Sequence, residues 1–263
     1  MNVNIIVTTG QKTRTDYIVK AKSIAKELNA TFVSRNNESI DALRDSGKQD
    51  IILVVNKQGL VAHTPNGALF FHLNMAQLRI KNLLAGKLDN MVQAMGLEAG
   101  MSVLDCTLGL ATDAIIESYI VGDKGKVVGL EASPVTAFIV REGLAQYKTE
   151  DPSIQRALGR IEVIHADYNA YLRQLPDDSF DVVYIDPMFR RPIKESINLQ
   201  PMRYVADHRA VELSVLHEAK RVAKKCVVMK ETNCSSEFKR LEIETVVGGK
   251  YSSVNYGVID ANK

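Results

Sequence analysis

Val103-Leu104-Asp105-Cys106-Thr107-Leu108-Gly109-Leu110-Ala111-Thr112-Asp113 reads as a buried strand, a tight turn and the start of a helix. The apolar lead-in of Met101, Val103 and Leu104 ends at an acid. Small residues follow, and Asp113-Ala114-Ile115-Ile116 opens a helical pattern. A turn of this shape lets a ligand approach backbone N–H groups at a helix N-terminus. The acid at the strand end can accept hydrogen bonds from a ligand cation or hydroxyl. A dinucleotide fingerprint needs three glycines in G-x-G-x-x-G. Here Gly109 stands alone, flanked at the equivalent positions by Thr107 and Ala111. On its own the turn either holds a cofactor or merely joins a strand to a helix.

The pattern repeats outward from this turn. Val127-Val128-Gly129-Leu130-Glu131 is a second apolar strand ending in an acid, 26 residues after Asp105. That is one strand-helix-strand unit, and an acid so placed can hold a ribose diol. Ser133 is an expected N-cap, with Pro134 in the first turn of a helix running to about Tyr147. Ile161 to Asp167 is a third strand with a terminal acid, suited to an adenine amino group, with Tyr168 beside it to pack on the ring. Phe180 to Asp186 is a fourth. A lone strand-end acid is commonly a cap or turn former. Four in register point to one crevice, because the carboxyl ends of an open α/β sheet face a common cleft. Cys226 to Lys230 adds a fifth strand. Ile243–Val247, Gly248-Gly249 and Ser253–Ile259 read as a closing antiparallel hairpin. The expected fold is α/β: a doubly wound, mostly parallel seven-stranded sheet with a C-terminal hairpin, over residues 73–263.

Residues 1–72 read as a small N-terminal α/β unit. Asn4–Thr8 is strand-like, and apolar residues from Tyr17 to Leu28 recur at helical spacing. Thr31–Val33 is a short strand, Ser39–Leu43 a short helix, and Asp50–Asn56 a buried strand. Lys57-Gln58-Gly59 turns into a strand over Leu60–His63, and Pro65-Asn66-Gly67 is another turn. Gly67 to His72 is an apolar run leading into a helix over Met75–Leu84, and a second helix covers Leu88–Met95. Gly10-Gln11-Lys12-Thr13-Arg14 lacks the G-x-x-x-x-G-K-[ST] spacing of a phosphate loop and reads as a basic turn.

Composition sets limits. The 263 residues are 46% hydrophobic and 24% charged, with net charge +2, as in ordinary globular chains. Three cysteines, Cys106, Cys226 and Cys234, make no C-x-x-C pair and no even disulfide framework, which fits a reducing cytoplasm. No leader and no membrane span is expected, since the longest clean apolar run is Ile51–Val55. His63 and His72 lack metal-ligand spacing, so no metal is expected. Residues 1–97 carry 12 Lys+Arg against 7 Asp+Glu, while the remainder carries 21 against 24. A basic first part suits a polyanion such as RNA; a solvated, lysine-rich surface is the other reading.

The loop after the fourth strand separates chemistries. Asp186-Pro187-Met188-Phe189 resembles the D/N-P-P-Y/F signature of enzymes that methylate exocyclic amines of nucleobases, with Met188 in place of the second proline. Proline fixes the loop and directs a backbone carbonyl inward. Asp186 and that carbonyl can accept hydrogen bonds from an aryl amine, aiming its lone pair at a methyl donor, so catalysis is largely positioning. Phe189 can stack on an extruded base. Arg190, Arg191 and Lys194 follow, suited to RNA phosphates.

The Val103–Asp113 turn is similar to the acid-x-G-x-G-x-G turn of S-adenosylmethionine (SAM) methyltransferases, with Thr107 and Ala111 replacing two glycines. Together with Glu131, His165-Ala166-Asp167-Tyr168, Asp186-Pro187-Met188-Phe189 and Met202-Arg203, it resembles the bacterial small-subunit rRNA guanine-N2 methyltransferase family. The resemblance covers most of residues 98–230. It implies SAM as cofactor and RNA as partner, with SAM contacts at Thr112, Asp113, Glu131, Ala132, Asp167, Tyr168 and Asp186. The residues themselves add Asp105 and Gly109 to the cofactor set, and Asp186, Pro187 and Phe189 to the amine site. Arg190 stands where the family has a further proline, and Phe70-Phe71-His72-Leu73-Asn74 where it has a glycine-rich basic segment. These departures mark a diverged branch. A small-molecule methyltransferase, a nicotinamide dehydrogenase and a non-catalytic RNA-binding module are the rival readings. The glycine pattern and closing hairpin oppose the dehydrogenase.

Overall fold

The computed structural model describes residues 4–47, 50–188, 200–249 and 252–261. Its first sheet is built from β1 (Ile5–Thr9), β2 (Thr31–Phe32), β3 (Ile51–Asn56), β4 (Gly59–Thr64) and β5 (Gly67–Phe70), in the order β2-β1-β3-β4-β5. β1 runs parallel to β2 and β3, and β3, β4 and β5 form an antiparallel meander. β3 is a continuous apolar run because both its faces are covered. On one face α1 (Thr15–Glu27) buries Ala21, Ile24 and Ala25 in a cluster with Val7, Leu53 and Val55. On the other, Leu43 of α2 (Ile40–Gly47) joins Ile6, Ile52 and Val54. The strand β5 departs from the expectation of an apolar lead-in to a helix. Ala62 faces Leu69 and Val61 faces Phe70 across the turn at Pro65-Asn66, so pairing, not alternation, makes the strand.

Two helices lead into the second sheet. They are α3 (Asn74–Leu84) and α4 (Asn90–Met95). Asp89 caps α4 by accepting from the Met91 and Val92 N–H groups, and Gly96, at φ 54°, ends it.

The second sheet contains β6 (Ser102–Asp105), β7 (Lys126–Glu131), β8 (Ile161–His165), β9 (Phe180–Ile185), β10 (Ala223–Thr232), β11 (Thr245–Val247) and β12 (Val254–Asp260). Their order is β11-β12-β10-β9-β6-β7-β8. The run β10-β9-β6-β7-β8 is parallel, and β12 lies antiparallel to both β10 and β11. The expected seven-stranded, doubly wound sheet with a closing hairpin is therefore present. The helices that follow among the described residues are α5 (Thr112–Val121), α6 (Pro134–Gln146), α7 (Pro152–Gly159), α8 (Tyr168–Leu172), α9 (Gln200–Val205), α10 (Leu213–Val222) and α11 (Glu237–Arg240).

Successive strand residues feed opposite cores. Val103, Val127, Val182 and Tyr184 pack with Ile115 and Ile116 of α5 on one face. Leu104, Val128, Val183 and Ile185 pack with Val215, Leu216 and Ala219 of α10 on the other. This period of two on a sheet covered twice is why the strands read as unbroken apolar runs. Strand order reverses between β6 and β9, which opens a crevice at their carboxyl ends. The two sheets share α6: Val135, Phe138 and Ile139 pack with Val7, Leu53 and Leu69 in one cluster that also takes in Met202 of α9.

Candidate functional site

The site begins where β6 runs out. Asp105 is 1% exposed, and its Oδ1 accepts the Thr107 N–H at 2.9 Å. Burial pushes its carboxyl up to about 8, against that hydrogen bond, with Asp113, Asp186 and Glu131 adding like charge. Gly109 (φ +52°) and Ala111 (φ +61°) both lie in the left-handed region. Ala111 thus takes a conformation normally left to glycine, at a cost of roughly 1–2 kcal/mol. It sits at the position that departs from the glycine pattern, and its methyl is fully buried.

The loop is tied to the next strand. The Leu108 N–H donates to the Leu130 carbonyl at 2.8 Å. The Gly109 N–H donates to Glu131 Oε2 at 3.0 Å, and the Ser133 N–H to Oε1 at 2.8 Å. Burial raises the Glu131 carboxyl to about 7, partly offset by these N–H donors. Ser133 caps α6 as expected, accepting from the Thr136 N–H. Gly129 leaves room for the loop above it: a Cβ there would lie 2.4 Å from Leu108 Cδ1.

Asp167 lies beyond the end of β8 and caps the short α8, accepting from the Asn169 N–H at 2.9 Å. Arg209 reaches it at 2.9 Å. Burial works to raise this carboxyl, but the Asn169 and Arg209 hydrogen bonds hold it below its ordinary value. Tyr168 is buried beside it.

The Asp186-Pro187 corner follows β9. Its Asp186 N–H donates to Thr107 Oγ1 at 2.6 Å, so the corner is latched onto the first turn. Lys230, near the end of β10, bonds Asp186 Oδ2 at 2.7 Å and Asp113 Oδ2 at 3.1 Å. Asp113 also accepts from Tyr184 Oη at 2.9 Å and from Arg79 of α3. Burial opposes its ionisation, but Lys230 and Arg79 hold its carboxyl well below the usual range. Burial lifts Asp186 to about 6, with Lys230 pulling down and Asp113 pushing up.

Gly109, Glu131, Ala132, Tyr168, Asp186 and Pro187 line a single crevice, together with Cys106, Thr107, Met188, Met202, Ala206, Asp207 and Arg209. Six of the expected residues therefore meet at one place. The other expected residues that are described do not line it. Asp105 lies beneath the turn, Thr112 is half-buried at the start of α5, and Asp113 faces the Arg79–Lys230 cluster. Asp167 adjoins the crevice through Arg209. Phe189, Arg190, Arg191 and Lys194 lie outside the described residues.

The sequence reading missed Arg79, Lys230, Thr107 and Arg209. The one signal for Lys230 is a cation following the apolar run Cys226–Met229. Thr107 lies inside the Val103–Asp113 turn but reads there only as a replaced glycine, and Arg79 and Arg209 carry no local signature.

The donor set fits a nucleoside cofactor. Glu131 offers a carboxylate at the end of β7, Tyr168 offers an aromatic side chain, and the Gly109 backbone has no Cβ to block approach. A Cβ on Gly109 would meet Met202 Cε at 3.2 Å. The crevice measures only about 60 Å³, whereas small-molecule sites run to roughly 300–1,000 Å³. One wall of it is Met202, Ala206, Asp207 and Arg209, all in or just after α9. A larger cavity of about 510 Å³ lies elsewhere, between the β4–β5 hairpin and the end of α6, lined by Lys57, Phe70, Phe71 and Tyr147 among others. It contains none of the strand-end acids, so its size does not make it the chemical centre.

Comparison with known proteins agrees with this geometry. An uncharacterized Bacillus subtilis protein, YpiP, is 39% identical over 98% of this chain and 100% of its own length. The ribosomal RNA small subunit methyltransferase J of Dechloromonas aromatica is 28% identical over 80% of this chain and 88% of its own. A crystal structure of a SAM-dependent methyltransferase from Neisseria gonorrhoeae superposes with TM-score 0.64 at 18% identity, covering 98% of this chain and 96% of that one, which shows a shared fold. Residues 39–254 match the family model described as putative SAM-dependent methyltransferase. With the acid-tipped crevice and the matched span together, the chain belongs to the SAM-dependent methyltransferase family, and SAM is its cofactor.

Proposed function

We propose that this enzyme methylates an exocyclic amine of a nucleobase, guanine N2 of small-subunit rRNA, in the cytoplasm. The observation that carries this reading is the latch between Asp186 and Thr107, which puts the Asp-Pro corner and the cofactor turn on one crevice. Relatives named ribosomal RNA small subunit methyltransferase J, and the basic balance of residues 1–97, support RNA as the partner.

When bound, SAM supplies an electrophilic methyl group and leaves as S-adenosylhomocysteine. The chain's own residues bind and aim. Glu131 accepts from ribose hydroxyls, with its remaining lone pairs free beside the two N–H donors. Asp167 and Tyr168 take the adenine edge and face, once Arg209 releases Asp167. Gly109 and Ala132 let the nucleoside approach backbone, and Thr112 presents the N-terminus of α5. Asp105 and Asp113 shape the site from beneath, one largely protonated, the other ionised. Asp186, ionised at neutral pH, accepts an N–H from the target amine, and Pro187 keeps the loop rigid. Phe189 stacks on the base. With SAM held there, the nitrogen lone pair would be directed at the methyl carbon, the N–C bond forming as the S–C bond breaks, and the surplus amine proton would leave through the Asp186 carboxylate to solvent; the rate gain would come from alignment.

The test is a mass-spectrometric comparison of rRNA nucleosides from cells with and without the gene. Loss of one N2-methylguanosine, restored by the wild-type gene but not by Asp186→Ala, is the expected result. An unchanged nucleoside profile, or full restoration by Asp186→Ala, overturns the reading.

A further inference from the structure

Five charged side chains form an unbroken alternating row. Asp89 caps α4 and takes both Arg79 Nε (2.8 Å) and Nη2 (2.9 Å). Arg79 also pairs with Asp113, Asp113 with Lys230, and Lys230 with Asp186. The row joins α3, α4, α5, β10 and the corner after β9, elements that meet only in the folded chain. Surface ion pairs contribute little, but the Arg79, Asp113 and Lys230 side chains are 12–18% exposed. A buried pair is costly to break, because one partner is left as an uncompensated charge.

We propose that Lys230 is a positioning residue for methyl transfer: its ammonium, bridging Asp113 and Asp186, keeps Asp186 in its acceptor form and in register with the Thr107 latch. This rests on the reading of Asp186 as the amine acceptor. Among the described residues Lys230 is the cation bonded to Asp186, and without it burial and the like charge of its described neighbours oppose ionisation. Asp113 lies across from it on α5 and Glu231 beside it on β10, while Asp105 beneath on β6 is itself largely protonated at neutral pH and adds charge only as pH rises. Tyr184 on β9 and Tyr256 on β12 are neutral, and Arg79 is already taken by Asp89 and Asp113. Asp186 then takes up a proton. A protonated carboxyl offers an O–H where the amine needs an acceptor, and the amine loses its anchor. Lys230 touches neither the amine nor the methyl group in this scheme; it acts through Asp186.

The test reads Asp186 directly and needs no substrate. Protein carrying 13C-labelled aspartate is titrated by NMR, and the Asp186 carboxyl signal is assigned by its loss in Asp186→Asn. In Lys230→Met the midpoint of Asp186 is expected to rise by at least about one unit, as follows from removing an adjacent opposite charge. Lys230→Arg, which keeps the cation, is expected to hold it near the wild-type value. Lys230→Gln replaces the methionine variant if that one does not fold. An Asp186 midpoint unchanged in a folded, uncharged variant overturns the proposal, and so does an arginine variant that shifts as far as methionine. In a second arm, transfer from labelled SAM to rRNA is followed against pH. The acid limb of kcat/KM is expected to move up with the midpoint, while the SAM Kd stays within about threefold, since the ammonium acts on the amine side. A limb that stays fixed while the midpoint moves also overturns the positioning role. If the midpoint moves as expected but the wild type methylates no nucleic acid, the proposed function fails and the hold of Lys230 on Asp186 stands.

Discussion

Arg209 Nη2 lies 2.9 Å from Asp167 Oδ2, so the acid proposed to take the adenine edge is already engaged by the chain's own cation. Arg209 also pairs with Asp207 at 2.6 Å and lines the crevice. On the proposed reading, nucleoside binding at Asp167 displaces it. Arg209→Ala removes that competitor and is expected to tighten SAM binding by up to about fivefold, given that exposed pairs are worth ~0–1 kcal/mol. Calorimetric titration of both proteins checks this. The gain shrinks as salt rises, because screening weakens the same pair in the wild type.

SAM affinity is expected to depend on pH through Glu131. Burial raises this carboxyl to about 7. Its ionised form is the better acceptor of ribose hydroxyls, so affinity rises as pH passes upward through 7. Glu131→Gln is expected to bind more weakly and to lose that slope. Calorimetry at pH 6, 7 and 8 distinguishes the two proteins.

Asp105 makes stability itself depend on pH. Its folded value is pushed up to about 8, against roughly 4 in an unfolded chain. Between those limits the native state binds more protons than the unfolded state, so this group's contribution falls as pH rises through the window. Asp105→Asn retains an oxygen for the Thr107 N–H and has no charge to bury. Melting temperatures from pH 5 to pH 8 are expected to decline less in the variant than in the wild type.

Gly129→Ala tests the seat of the turn. The added methyl would lie 2.4 Å from Leu108 Cδ1 and 2.9 Å from Cδ2. Overpacking of this kind costs about 1–3 kcal/mol. Because Leu108 precedes Gly109, the strain falls on the cofactor turn. Denaturant unfolding is expected to show the loss, and SAM titration a weaker affinity.

The strand-end acids are legible in the amino-acid sequence because each follows a short strand rich in apolar residues, and the sheet order turns that repeat into a crevice. Glu131 and Asp186 line it. Asp167 keeps its place but takes a different local role, since β8 stops at His165 and Asp167 caps the next helix. β5 is not legible: Ala68-Leu69-Phe70-Phe71 has no alternation, and only its partner β4 makes it a strand. The Arg79–Asp113–Lys230–Asp186 row is hidden for a different reason. Its members are far apart in sequence, and nothing local to Arg79 or Lys230 names a partner. Only β10 lying beside β9, with α3 against α5, brings them together.

The α9 wall of the crevice is mounted on the first sheet. α9 packs against β4 and β5, and Pro201 sits so close to Gly67 that a Cβ there would approach Pro201 Cγ to 3.1 Å. Met202, the next residue, is the one that reaches Gly109. Severing the chain near residue 72 would therefore strip the backing from one side of the crevice, so the amino-terminal sheet is part of that crevice's scaffold and not a detachable appendage.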